Sequence, residues 1–142
     1  MDSHSCFTFR PGFVVRLIAT IFGTTLALLI SASALAADAS AEVKTAAVHA
    51  GLAAQAENIK GVHTHLHHAL NCLVGPDGDG FDSAEMNPCA KMGSGAIPDT
   101  TNDNMTEVLE DAVDKANSGL DTDDYNEAKA AAASVQKMLT LQ

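Results

Sequence analysis

Between residues 41 and 73 apolar side chains return every three or four positions, as Val48, Leu52, Ile59, Val62, Leu66, Ala69 and Leu73. Only Gln55 interrupts the sequence of seam positions. No stretch of the chain shows the two-residue alternation of a half-buried strand, so the pattern requires helices that bury one face against each other. Read without a break, it predicts a single helix over 41–73, about 50 Å long at 1.5 Å per residue and bent at Gly51 or Gly61. Gly75-Pro76 would end it.

Two shorter helices follow. Asn104 can cap a helix over 105–118, with Glu107 three residues on and Met105, Val108, Leu109, Ala112, Val113 and Ala116 on one face. A third helix, over 122–140, opens at Asp121 or Thr122, carries Asp123 and Asp124 in its first turn and lines up Tyr125, Ala128, Ala132, Val135 and Leu139. None can bury its stripe alone, which predicts an all-α antiparallel bundle of three helices, or a homodimer in which two chains complete a larger core. The stretch 74–104 holds three of the four prolines and five of the ten glycines and is expected to be loop.

The N-terminal segment reads as an export signal. Arg10 and Arg16 precede an apolar run from Leu17 to Ile30, and small residues from Ser31 to Ala36 supply a cleavage site. The run is roughly 14 residues, short against the ~20 that a bilayer requires, so we expect cleavage after Ala36, a single helical domain over 37–142 and no membrane association afterwards. The destination would be periplasmic or secreted. Cys6 leaves with the signal, and Cys72 and Cys89 remain as a pair suited to a disulfide that pins the loop. Such a bridge is worth ~3 kcal/mol on the chain-entropy model.

Charge sets the class of partner. The chain carries 18 acidic and 8 basic residues, a net charge of -10, which disfavours nucleic acid and anionic membranes and favours cations. Four of the six histidines fall together as His63, His65, His67 and His68. Residues three or four apart share a helix face, so His63 with His67 and His65 with His68 form chelating pairs for a divalent transition metal, Cu, Ni or Zn. On the continuous seam His67 and His68 fall on the surface. His49 would lie about 21 Å from His63 along one helix, too far to share an ion. A solvated polar face, or a pH switch built from adjacent imidazoles, would use the same residues without a metal.

The seam places Ala46 three residues before His49 and Lys60 three before His63. This resembles the A-x-x-H repeat of exported, His-rich helical small metal-binding proteins of nitrifying bacteria, which implies copper and other divalent ions as ligands. The equivalent slots at 56 and 70 are Ala and Leu. The run Asn71-Cys72-Leu73-Val74-Gly75-Pro76 is also similar to small uncharacterised exported bacterial proteins, a likeness that implies no activity.

Other cofactors fit less well. Covalent haem needs C-x-x-C-H, which neither cysteine provides, and beyond residue 36 Phe81 and Tyr125 are the only aromatics to line a porphyrin held by His63 or His67 with Met105 or Met138 opposite. Asp77, Asp79 and Asp82 offer a weak calcium site, but an EF-hand register on Gly80 puts Gly75 and Met86 at the first and last ligand positions. No nucleophile and base pair suggests an enzyme. The sequence therefore predicts an exported protein that binds or buffers metal ions through His63, His67, His65 and His68. The alternative is a structural or interaction protein of the cell envelope with a stapled loop.

Overall fold

The computed structural model describes residues 39–142, and the expected signal peptide lies outside them. Five helices make up this part: α1 Ala39–Gln55, α2 Ile59–Val74, α3 Ala96–Asp99, α4 Asp103–Leu120 and α5 Tyr125–Thr140. There is no strand among the described residues, and none of their helices is long and apolar enough to cross a membrane.

The single helix expected over 41–73 is two helices. Asn58 adopts an extended backbone, φ -152° and ψ 162°, and its side chain accepts a hydrogen bond from the Gly61 backbone N–H at 2.9 Å. That is an N-cap, and it starts α2 afresh. On the other side of the break the Gln55 amide donates to the Gly51 carbonyl, and the Tyr125 hydroxyl of α5 donates to the Ala56 carbonyl at 2.7 Å. The Ala56 carbonyl, which the break leaves without a helical partner, is thereby satisfied. The chain folds back, and α1 packs on both α2 and α5.

The break also resets the helical phase. In α1 the buried face is Val43, Ala46, Ala50 and Ala53, while Val48 and Leu52, placed on the seam by the continuous reading, are 60% and 42% exposed. In α2 the seam holds as Val62, Leu66, Ala69 and Leu73. α4 packs on α5 and α2, contributing Leu109, Ala112 and Ala116, and α5 contributes Ala128, Ala132, Val135 and Leu139. The small residues let helices approach closely: a Cβ on Gly119 of α4 would stand 2.8 Å from the Leu66 side chain and 2.9 Å from that of Ala131. The caps of these helices also shift from expectation. Asn102 rather than Asn104 caps α4, accepting from the Met105 N–H, and Asp124 caps α5, accepting from the N–H groups of Asn126 and Glu127.

The segment between α2 and α4 contains one short helix, α3, and is fastened at several points. Cys72 and Cys89 form the expected disulfide, with their Cα atoms 5.2 Å apart. One residue earlier, the fully buried Asn71 amide donates to the carbonyls of Asp82, Glu85 and Met86 and accepts from the Asp82 N–H at 2.9 Å. Gly75 caps α2 at φ 70° and ψ 174°, a conformation open essentially to glycine alone, and lies against Gly95 at φ 119°. The buried Glu42 carboxylate of α1 accepts from the Gly95 N–H at 3.1 Å. With the loop laid over it, α2 is buried on every side from His68 to Val74.

Candidate metal centre

Three imidazoles from two helices meet where α1 and α2 pack. His49 of α1 lies with its ring centroid 5.8 Å from that of His65 and 5.2 Å from that of His68, and His65 and His68 are 5.5 Å apart. Each offers one nitrogen to a group whose ligand atoms all lie within 4.8 Å of one another. Nitrogens bound to one tetrahedral ion at 2.0–2.1 Å stand about 3.3 Å apart, so closure requires a rotamer adjustment of about 1.5 Å at most. This group could hold a metal ion.

The fold-back explains the grouping. Along an unbroken helix His49 and His65 would be about 24 Å apart. Reversal at residues 56–58 places them opposite each other. On α2, His65 and His68 are three apart and share a face, as their spacing predicted. His68 is only 5% exposed, in contrast to the surface position expected from the continuous seam, because the loop covers that side of α2.

The electrostatics suit neutral imidazoles. Burial holds the pKa of His49 below its ordinary value of 6.5, and the neighbouring His68 and His65 lower it further. Burial does the same for His68, reinforced by His65 and by His67 and opposed by Glu85. A depressed pKa keeps the ring lone pairs available near neutral pH. The Nδ1 atoms of His49, His65 and His68 are buried and have no hydrogen-bond partner among the described residues.

His63 and His67, the first pair expected to chelate, are not in the group. His63 donates through Nε2 to the Thr122 carbonyl at 3.0 Å and so ties α2 to the connection between α4 and α5. His67 turns toward the loop, with Nδ1 3.6 Å from the Asp82 carboxylate. Conversely His49, expected to stand apart, is a full member. The sequence carried a signal for this in Asn58, a good N-cap residue just ahead of the apolar run that begins at Ile59.

The calcium arrangement does not assemble either. The His group is the one set of three ligating residues brought together among the described residues, and Asp77, Asp79 and Asp82 are divided. Asp82 faces His67 and accepts from the Ala84 N–H, whereas Asp77 and Asp79 line a separate cavity of about 670 Å³ with Val74, Ile97 and Val113. No family model, curated protein or solved structure matches the chain.

Proposed function

We propose that this protein is exported and binds or buffers a divalent transition metal, Cu, Ni or Zn, through His49, His65 and His68. The observation that carries the reading is the meeting of three imidazoles, each with a ring nitrogen within 4.8 Å of the other two and each with a buried Nδ1 that has no hydrogen-bond partner among the described residues. A buried polar atom left unpaired costs about 1–3 kcal/mol, and a metal ion would satisfy such atoms together. Packing of ring on ring accounts for the edge contacts but leaves the nitrogens unsatisfied. Neutral imidazole is the donor that these three metals share, and with both described cysteines locked in a disulfide no thiolate competes for the choice.

Export rests on the signal-like N-terminus and on the disulfide, which suits an oxidising compartment. The net charge of -10 favours cation capture. The resemblance of the Ala46 and His49 spacing to His-rich metal-binding proteins supports the same ligand class.

The test is titration of the protein with Cu(II), Ni(II) and Zn(II) against a chromophoric chelator, with thermal unfolding in parallel. A ligand present at a hundred times its Kd stabilises the fold by about 2.7 kcal/mol. His49→Ala, His65→Ala and His68→Ala should each abolish this gain, and His63→Ala should retain it. Uptake that survives His49→Ala together with His68→Ala would refute the assignment and favour the structural module of the envelope.

A further inference from the structure

The loop over α2 buries His68, and it is fastened to that helix at several points. Three side chains from consecutive positions of one face of α2 reach into it. His68 presents Nε2 to the Glu85 carboxylate at 3.5 Å, Asn71 grips the backbone from Asp82 to Met86, and Cys72 is bonded to Cys89. The Asn71 contacts go to the carbonyls of Asp82, Glu85 and Met86, so they fix the backbone that carries the carboxylate.

We propose that this pinned loop is the outer half of the metal centre, with Glu85 the residue that positions His68 for coordination. The inference rests on the metal-binding reading above. Glu85 is not among the grouped ligands, so it acts through His68. A carboxylate facing Nε2 favours a proton on that nitrogen, leaving the lone pair on Nδ1. In His68 that Nδ1 is the buried, unpartnered atom. Glu85 therefore sets both the tautomer and the ring orientation, and its negative charge raises the basicity of the ligand. Asn71 and the disulfide keep the carboxylate in place, which gives the staple a purpose beyond general stability.

Zinc affinity by chelator competition, together with nitrogen-15 correlation spectra of the histidine rings, tests this. Glu85 is part exposed, and Glu85→Ala should leave the fold intact, weaken zinc about 10–100-fold and let His68 populate the form protonated at Nδ1. Glu85→Gln keeps an acceptor oxygen and should recover most of the affinity. Cys72→Ser with Cys89→Ser should weaken zinc in the same direction, and if that pair unfolds the chain the Glu85 variants decide. Zinc binding and a His68 tautomer unchanged in Glu85→Ala would overturn the proposal while leaving the His site standing, provided that His49→Ala with His68→Ala still loses zinc. Retention of zinc by that double variant would instead sink the metal reading itself.

Discussion

The Tyr125 hydroxyl donates to the Ala56 carbonyl at 2.7 Å, joining the start of α5 to the turn between α1 and α2. The same oxygen accepts from the Lys129 ammonium at 3.1 Å, and that ammonium sits 5.0 Å from the centre of the Tyr125 ring. A turn that decides where His49 lies relative to His65 and His68 is thus held from outside the hairpin. Tyr125→Phe removes the hydroxyl and leaves the ring. We expect a loss of about 1 kcal/mol, seen as a lower urea midpoint with unchanged slope, and a modest weakening of zinc.

Asn71 should be the most sensitive polar residue. Replacing it with Ala takes the Asn71 partner from the Asp82 N–H and from the Glu85 and Met86 carbonyls, while the Asp82 carbonyl keeps the Glu85 N–H. The expected cost is about 2–4 kcal/mol. In a domain of roughly 100 residues this lowers the Tm by roughly 10–20 °C or more, which calorimetry resolves.

Gly75→Ala tests the seam between α2 and the loop. The position combines φ 70° with ψ 174°, and an added Cβ would meet the Ser94 carbonyl, which is backbone and cannot rotate away. Strain of about 1–3 kcal/mol from the dihedrals alone is expected, with the steric overlap added. Faster proteolysis within residues 76–94, ahead of global unfolding, would locate the damage in the loop.

Acid should destabilise the metal-free protein through His49 and His68. Both have folded pKa values below 6.5, so as the pH falls through 6.5 the unfolded chain takes up protons that the folded chain resists. Their stabilising contribution is complete above that value and declines below it. Urea midpoints should drop from pH 7.5 to pH 5.0, and His49→Gln with His68→Gln should reduce the dependence. Metal binding should weaken in the same interval, because protons compete for the ligand nitrogens.

The local chemistry of this chain is written in its residues. Periodicity marks helices, glycine and proline mark the loop, the pair Cys72 and Cys89 marks the staple, and the spacing of His65 and His68 marks a shared face. What the sequence left open was the phase of α1. The 3-4 pattern resumes beyond residues 55–58 with Gln55 as its single irregular seam position, and the many alanines of α1 fit either phase. Whether the helix continues or turns there depends on the Asn58 cap, on Tyr125 from α5 receiving the Ala56 carbonyl, and on burial of the Ala46, Ala50 and Ala53 face. The cap is local, but the Tyr125 bond and the burial of that face are long-range, and they outweigh a local preference that differs little between the two outcomes. Tertiary structure alone therefore chose His49 over His63 and His67 and placed Glu85 behind His68, since a metal centre depends on which faces meet across helices and not on which residues are neighbours along one.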